Sequence, residues 1–267
     1  MKNNQPKRRL QLAMAICESV GQAILAFREY HSFSKIATRK GNQLKSPIDV
    51  AAESWIISLL KSYYPKEAIL SEETYEARKK FAPQNGTYWS VDPLDGTKSY
   101  CAGFKGFCIQ IAFIKDCKPQ IAIVYGPAFN SLYWAIARKG AYLRYKSKTK
   151  RIFAKKSLIS RKTYIDNRPA KSALARIFRK IKVNKFLEMG SFGLKICKVA
   201  EGKADIFLKP VEFKIWDTAP GNLILKEARG KLTLWDGKEI DYSGKKIYFK
   251  NLVAASTVCY HKIFPYL

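Results

Sequence analysis

The segment from Tyr88 to Thr97 constrains this chain more than any other, because two carboxylates, Asp92 and Asp95, flank a proline directly after an apolar, β-prone run. This pattern predicts a strand that ends at Asp92 and a tight turn that begins at Pro93. Such a turn presents two carboxylates and several backbone N–H groups to one place. Carboxylate oxygens bind Mg²⁺, and free N–H groups bind phosphate. The segment therefore indicates a metal-dependent site for a phosphate compound.

Length and composition are those of a folded globule. A chain of 267 residues can bury a sizeable core as one large domain or as two halves. Its 47% hydrophobic content argues against a disordered chain. We place a boundary at about residue 150, so that 1–150 forms an N-terminal α+β half with most of the acidic motifs, and 151–267 forms a C-terminal α/β half.

The chain carries a large positive charge, +28 at pH 7, and the charge is concentrated. Between Arg138 and Lys185 there are 18 lysines and arginines and a single acid, Asp166. A basic protein attracts anions: nucleotides, nucleic acid or an acidic membrane surface. A solvated, lysine-rich surface explains the same charge. No base-reading motif accompanies it, so a small anionic substrate is favoured over nucleic acid, and peripheral contact with an anionic membrane stays open.

The cysteines and the N-terminal segment indicate a cytoplasmic protein. The six cysteines form no Cys-x-x-Cys pair and lie in apolar contexts, which is typical of reduced core residues. Apolar residues from Leu10 to Ile24 recur at helical spacing, which predicts an amphipathic first helix rather than a signal peptide. No apolar run approaches the length that spans a bilayer. We expect a cytoplasmic location, with contact at the inner face of the membrane as a variant.

Helical and strand patterns alternate along the chain without an internal repeat. Helices are predicted at 8–30, 50–63, 170–181, 194–201 and 217–229, and strands at 69–70, 88–92, 107–114, 120–125, 131–137, 140–143 and 204–209. Mixed order of this kind predicts an α/β fold with helix and sheet layers packed on each other.

Carboxylates recur at the ends of these elements. Asp49 and Asp217 begin predicted helices, Glu72 and Glu73 follow a strand, and Asp92 and Asp95 form the turn. Each acid alone is explained as a helix cap, a solvated loop residue or a turn residue. Brought together, the acids would repel one another unless a cation neutralised them. Ligands that are all oxygen select Mg²⁺ or Mn²⁺ over zinc.

Five motifs together resemble the inositol monophosphatase superfamily, in order and in spacing. They are Ser46-x-x-Asp49, Ser71-Glu-Glu73, Val91-Asp-Pro-Leu-Asp-Gly-Thr97, Gly190-Ser-x-Gly-Leu-Lys195 and Trp216-Asp-Thr-Ala-x-Gly221. The resemblance extends from about residue 8 to about residue 260. It implies an αβαβα, sugar-phosphatase-like architecture and a magnesium-dependent, lithium-sensitive phosphatase.

Within the superfamily the chain looks most like the 3'(2'),5'-bisphosphate nucleotidases of the CysQ type. Lys98 after Asp-Gly-Thr, the segment 194–202 and Thr218 carry this resemblance. Three positions depart from the subfamily pattern without removing a predicted metal ligand: Ser99 in place of Glu, Ser46 in place of Thr, and Pro220 in place of Ala.

The resemblance implies a ligand set for two or three Mg²⁺ ions, with Mn²⁺ as an alternative. One ion would be held by Glu72, Asp92 and the Leu94 carbonyl, and a second by Asp92, Asp95 and Asp217. A third, weaker site would rest on Glu72 and water.

The resemblance also implies catalytic and substrate-binding roles. The Thr97 hydroxyl, oriented by Asp49, would position the attacking water, and Glu72 would act with them as a catalytic residue. The N–H groups of Gly96 and Thr97 would bind phosphate, and Gly190 and Ser191 would face the sugar or base. The full expected set of substrate contacts is Glu72, Leu94, Asp95, Gly96, Thr97, Gly190, Ser191 and Asp217.

The expected reaction is removal of the 3'-phosphate of adenosine 3',5'-bisphosphate, a reaction of sulfur metabolism that yields AMP and phosphate. One alternative is an inositol monophosphatase or another sugar phosphatase on the same scaffold. An alternative of another class is a basic RNA- or membrane-binding protein that retains the fold. Whether the protein is a monomer or a homodimer stays open.

Overall fold

Two β-sheets form the frame of the molecule, and helices cover their faces. The structure, a computed structural model, describes residues 5–30, 38–40, 43–81, 83–156, 162–168 and 172–267. The helices are α1 (Gln5–Tyr30), α2 (Pro47–Tyr63), α3 (Glu72–Arg78), α4 (Thr97–Cys101), α5 (Ser172–Ile181), α6 (Phe192–Ala200), α7 (Ile215–Glu227) and α8 (Thr257–Ile263).

The larger sheet has seven strands in chain order. They are β3 (Ala68–Ser71), β4 (Tyr88–Asp95), β5 (Cys108–Lys115), β6 (Lys118–Gly126), β7 (Ser131–Ile136), β8 (Gly140–Tyr145) and β9 (Lys148–Arg151). β3 runs parallel to β4, and all later neighbours are antiparallel. The predicted meander is therefore confirmed.

The smaller sheet has five strands in the order β11-β10-β12-β16-β14. They are β10 (Lys162–Asp166), β11 (Val183–Glu188), β12 (Ile206–Lys209), β14 (Gly230–Leu234) and β16 (Leu252–Ser256). Two further ribbons pair β1 (Thr38–Lys40) with β2 (Gln43–Lys45), and β13 (Phe213–Lys214) with β15 (Tyr248–Phe249).

Side-chain alternation explains how the larger sheet holds a helix layer on each face. Trp89 and Val91 of β4 lie in one core cluster with buried residues of α1 and α2. Tyr88, one position away, lies in a second cluster with α6 and α7. Because successive residues of a strand face opposite sides, a strand with apolar residues at every position is buried between two helix layers.

The helices α6 and α7 form the layer between the two sheets. They contact β5 and β6 of the larger sheet, and β14 and β16 of the smaller one. On the far face of the smaller sheet, α5 and α8 enclose a third cluster around Tyr164 and Phe178. The layers follow the order helix, sheet, helix, sheet, helix, which confirms the predicted αβαβα architecture.

The first helix is the amphipathic helix that its spacing predicts. By length and composition α1 could also cross a membrane. In this fold its buried residues, among them Ile16, Val20 and Ile24, pack against the larger sheet. The helix therefore belongs to the core of the folded chain.

Several local predictions were wrong. β4 does not end at Asp92 but continues through Pro93 to Asp95. Glu72 and Glu73 follow a strand as predicted, yet they also begin the helix α3, which was missed. Five of the six cysteines are buried and all six are unpaired, but Cys117 is exposed in a turn. The core cluster around α6 and α7 contains residues from both sides of residue 150. The proposed boundary at that residue remains a prediction.

Candidate active site

The site is built around the irregular end of β4. The pairing of β4 with β5 shifts its register between Asp92 and Asp95, which is the signature of a bulge. Gly96 follows with a φ of +94°, and a Cβ there would lie 2.8 Å from the Gly106 carbonyl oxygen. Only glycine fits this backbone conformation without strain, so the chain can turn sharply from β4 into α4.

Three glycine backbones meet at this turn. A Cβ on Gly106 would lie 2.6 Å from the nitrogen of Gly190, and a Cβ on Gly190 would lie 2.4 Å from the oxygen of Gly106. Gly190 immediately precedes the N-cap of α6, and Gly106 lies just before β5, so main chain that leads into the middle helix layer packs against main chain that leads into the larger sheet. We call Gly96, Gly106 and Gly190 the glycine contact.

Asp92 lies at the centre of the acidic residues. Its side chain is 1% exposed, and its Oδ1 accepts a hydrogen bond from the Leu94 N–H at 3.1 Å. Burial raises the pKa of Asp92 well above its usual value, and the nearby negative charges of Glu72, Asp95, Asp217 and Asp49 raise it further. Five of the six acids named from the sequence therefore lie close enough for their charges to interact.

Asp95 ties the β4 turn to the middle helix layer. Its Oδ1 accepts from the Phe192 N–H at 3.0 Å, and its Oδ2 accepts from the Gly193 N–H at 2.7 Å. Gln110 donates to the same Oδ2 at 3.0 Å. Burial raises the pKa of Asp95, whereas the two backbone hydrogen bonds oppose that effect. Since Phe192 and Gly193 open α6, the carboxylate also satisfies the free N–H groups of a helix start.

Asp49 and Thr97 are hydrogen-bonded across the site. Thr97 Oγ1 lies 3.1 Å from Asp49 Oδ1 and 3.1 Å from the Leu94 carbonyl oxygen. Asp49 Oδ2 accepts from the Ser46 N–H at 2.6 Å, which fixes the carboxylate at the start of α2. Burial raises the pKa of Asp49 to about 7, with the charges of Glu73 and Glu72 contributing in the same direction.

Lys214 connects two acids that belong to different elements. Its Nζ lies 3.2 Å from Glu72 Oε1, and its backbone N–H donates to Asp217 Oδ2 at 2.7 Å. Burial opposes the charge of Lys214, but Glu72, Asp217 and Glu76 outweigh burial and raise its pKa above the usual value. Burial, together with Glu72 and Asp95, raises the pKa of Asp217 to about 7.

Several of these groups line a cavity of about 360 Å³ in which charges of both signs meet. Its acids are Glu72, Glu73, Asp95, Glu212 and Asp217. Its cations are Lys98, Lys195, Lys209 and Lys214. Lys195 is 2% exposed and its Nζ lies 2.8 Å from Asp166 Oδ1, so its position is fixed.

The donor set fits hard divalent cations. Every side-chain ligand predicted from the sequence donates a carboxylate oxygen. The negative charges of neighbouring carboxylates contribute to the raised pKa of Asp92 and of Asp217. Within the described ranges no three acidic, cysteine or histidine side chains are gathered tightly enough to hold a metal ion as they stand. Asp95 faces N–H donors and Glu72 faces an ammonium, so a bound ion would have to draw these carboxylates toward itself. All-oxygen donors of this kind suit Mg²⁺ or Mn²⁺.

Most of the predicted site residues line or border the cavity. Gly96, Thr97 and Gly190 line it. Ser191 lies behind it, fully buried, where its Oγ accepts the Leu194 N–H at 3.0 Å and caps α6. Its predicted substrate contact remains untested, and so do the other predicted roles.

Sequence reasoning missed Lys209, Glu212 and Lys214. The signal for Lys214 was present, since it lies three residues before Asp217 and directly precedes the helix that Asp217 opens. The basic segment 138–185, in contrast, contributes only Asn167 to the cavity lining among its described residues. Arg168 from that segment lines an adjoining hollow of about 400 Å³.

Known proteins match this chain over most of its length. The model of the inositol monophosphatase family matches residues 6–263. A 3'(2'),5'-bisphosphate nucleotidase CysQ from Buchnera aphidicola is 31% identical over 247 residues, which cover 90% of each chain. Inositol monophosphatase 2 of Solanum lycopersicum is 34% identical over 233 residues, which cover 83% of this chain and 87% of that one. The crystal structure of inositol monophosphatase II from Staphylococcus aureus has a TM-score of 0.78 and 25% identity, and covers 96% of this chain and 92% of that one.

Proposed function

Because this chain belongs to the inositol monophosphatase family, we propose that it is a magnesium-dependent phosphomonoesterase that removes the 3'-phosphate of adenosine 3',5'-bisphosphate. The products are AMP and inorganic phosphate. Membership of the family supports phosphatase activity. That the substrate is a nucleotide is our proposal. The similarity to the Buchnera aphidicola nucleotidase supports that proposal.

The observation that carries the nucleotide proposal is that four lysines and a group of carboxylates line the same cavity. A bisphosphate has one phosphate to be cleaved and a second that must be held in place. Asp95 and Asp217, with divalent ions, suit the first phosphate, and Lys98 and Lys209 suit the second. Lysine binds phosphate as a compact positive charge without bidentate geometry.

Glu72, Asp92, the Leu94 carbonyl, Asp95 and Asp217 would hold the divalent ions. Ions bound there would lower the pKa of a coordinated water and neutralise charge on the leaving oxygen. Gly96 lets the chain turn sharply against Gly106, so that the N–H groups of Gly96 and Thr97 would be free to bind the phosphate at the cavity. Such contacts would position the phosphate for in-line displacement.

Thr97 and Asp49 would orient the attacking water. The single hydrogen of the Thr97 hydroxyl has two acceptors in reach, Asp49 Oδ1 and the Leu94 carbonyl oxygen, and with either one Oγ1 keeps a lone pair to accept a hydrogen bond from the water. Asp49, fixed by the Ser46 N–H at the start of α2, would hold the Thr97 hydroxyl in place. We assign Glu72 to the ligand set.

A substrate panel with Mg²⁺ tests the proposal. Phosphate release from adenosine 3',5'-bisphosphate should exceed release from inositol 1-phosphate in kcat/KM, and the nucleotide product should be 5'-AMP. Formation of 3'-AMP, or a preference for inositol 1-phosphate, would contradict the nucleotide proposal while leaving the phosphatase assignment intact.

A second candidate, an inositol monophosphatase or another sugar phosphatase, is favoured by Glu212. This acid lines the same cavity as Lys209, and a carboxylate there suits hydroxyl groups of a polyol better than a second phosphate. The tomato relative at 34% identity supports the same candidate. Substitution of Glu212 by glutamine should leave nucleotide turnover largely unchanged but weaken turnover of a polyol phosphate.

A binding protein of another class, attached to RNA or membrane, is the least favoured reading, because it would have no need of a buried carboxylate cluster. We propose a cytoplasmic enzyme, with contact between the lysine-rich surface and an anionic membrane as an open variant. Inhibition by Li⁺ tests the lithium sensitivity that the resemblance implies, and the molar mass in solution distinguishes a monomer from a homodimer.

A further inference from the structure

Lys214 places a positive charge inside the carboxylate cluster. Its Nζ lies 3.2 Å from Glu72 Oε1 and 3.6 Å from Glu76 Oε1, and its side chain is only 17% exposed. An ammonium group in contact with a carboxylate oxygen occupies the space in which a cation bound to that oxygen would lie. Lys214 and a divalent ion on the same side of Glu72 therefore exclude each other.

The position of Lys214 is fixed by the fold. Its backbone N–H donates to Asp217 Oδ2 at 2.7 Å, directly before the first turn of α7. Its ammonium lies 5.6 Å from the centre of the Trp216 ring. The backbone hydrogen bond to Asp217 and the contact with the Trp216 ring together hold the Lys214 side chain beside Glu72.

Electrostatics supports the same conclusion. A third divalent ion on Glu72 would lie beside the ammonium group of Lys214 and would be repelled by it, or it would have to displace that ammonium from a largely buried position.

We infer that Lys214 replaces an outer divalent ion on Glu72, so that this site loads two divalent ions per chain. The inference rests on the proposed function, since it assumes that the carboxylates bind metal. Glu72 Oε1 faces the ammonium, and its other oxygen remains available to the inner pair of ions. Lys214 is thus a positioning residue that sets the number of ions.

The test counts ions without measuring turnover. Metal-free protein is titrated with Mn²⁺ at fixed ionic strength, and free Mn²⁺ is followed by electron paramagnetic resonance. We expect about two ions for the natural chain and about three for Lys214→Met, with the third weaker than the others. Lys214→Arg keeps the charge and should bind about two. Lys79→Met is the matched control, because Lys79 contacts Glu76 but not Glu72, and it should also bind about two.

Each outcome decides the inference. An equal count for the natural chain and Lys214→Met, or three ions in the natural chain, overturns it. A raised KM for Lys214→Met with an unchanged ion count would show instead that Lys214 binds substrate. No Mn²⁺ binding by the natural chain would overturn the proposed function itself, which is a distinguishable failure. If circular dichroism shows that Lys214→Met is unfolded, Lys214→Gln replaces it in the same comparison.

Discussion

Asp95 accepts a hydrogen bond from the backbone N–H of Phe192 at 3.0 Å, and so a predicted metal ligand also begins the helix of the middle layer. The second carboxylate oxygen takes the Gly193 N–H and the Gln110 side chain. The acidic cluster and the central helix layer therefore share one side chain. A change at Asp95 must affect both the charge of the site and the seating of α6.

Asp95→Asn separates these two roles. The amide oxygen can still accept from Phe192, but the negative charge is lost, so phosphatase activity should fall by at least ~10²-fold, a loss of the size seen when a group that stabilises the transition state is removed. The amide NH2 cannot accept from Gly193 and Gln110 as Oδ2 does, so the free energy of unfolding should fall by about 1–3 kcal/mol. Activity assays with Mg²⁺ and urea denaturation measure the two effects. Asp241→Asn, at an exposed turn, is the control, and full activity in Asp95→Asn would rule out its role as a ligand.

Substitutions at Thr97 test the hydrogen bond to Asp49. Thr97→Val preserves shape but removes the hydroxyl, so kcat should fall by about 10²–10⁴-fold, with little change in KM. Thr97→Ser keeps the hydroxyl and should retain most of the activity. Steady-state kinetics on both variants provide the measurement. Equal activity of the valine and serine variants would contradict the assignment.

Gly190→Ala tests the glycine contact. The new Cβ would lie 1.9 Å from Ser99 Oγ and 2.4 Å from the Gly106 oxygen, so the backbones must separate. We expect a loss of about 1–3 kcal/mol in the free energy of unfolding, as for other overpacked sites, together with a higher KM. Ser99→Ala, which removes one of the clashing atoms, should alter stability by less than ~0.5 kcal/mol on its own. Unchanged stability in Gly190→Ala would show that the contact is looser than it looks.

The raised pKa values predict how stability depends on pH without divalent ions. Asp49 and Asp217 hold their protons up to about pH 7 in the folded chain, whereas an unfolded aspartate releases its proton near pH 4. Between these values the folded chain binds more protons, so the free energy of unfolding should fall as pH rises from about 5 to about 7.

Urea midpoints measured in a chelating buffer at several pH values test this slope. Adding Mg²⁺ at pH 7.5 should restore stability, because ions bound only by the folded chain stabilise it. Asp217→Asn should flatten the slope. A midpoint that rises with pH through this window in the metal-free protein would be inconsistent with the buried acids.

The positive surface predicts salt-dependent capture of substrate. The value of kcat/KM for adenosine 3',5'-bisphosphate should decrease as ionic strength rises from low to physiological, since screening weakens attraction over distances beyond about 8–10 Å. Reversing the charge of the exposed residues Lys146, Lys148 and Lys150 should flatten that dependence and leave kcat unchanged. A flat salt profile in the natural chain would exclude steering.

The seven-stranded sheet could largely be predicted, because its strands from Cys108 to Ile136 are apolar, β-branched and separated by clear turn residues. β9 and β11 could not be predicted, since Lys148–Arg151 is exposed throughout and Val183–Glu188 is largely exposed at a sheet edge. Their pairing comes from neighbouring strands rather than from their own hydrophobic pattern.

The acidic part of the site could be predicted because its motifs lie at the ends of elements. Lys209 could not be predicted, since it ends β12 and reaches the cavity only because the smaller sheet packs beside the larger one, whereas the position of Lys214 before Asp217 was a signal that went unused. The continuation of β4 past Pro93 was also hidden, because proline in a strand normally signals its end, and only the bulge makes room for it.

The glycine contact has a consequence for how substrate preference can evolve in this chain. Where three glycine backbones touch, there is no side chain to enlarge, shorten or recharge, so point mutations cannot gradually reshape that part of the cavity. Variation is left to the surrounding lysines and to Glu212. In proteins with this fold, a change of preference from one phosphate ester to another would therefore come from side chains around the cavity, while the main chain at the glycine contact stays the same.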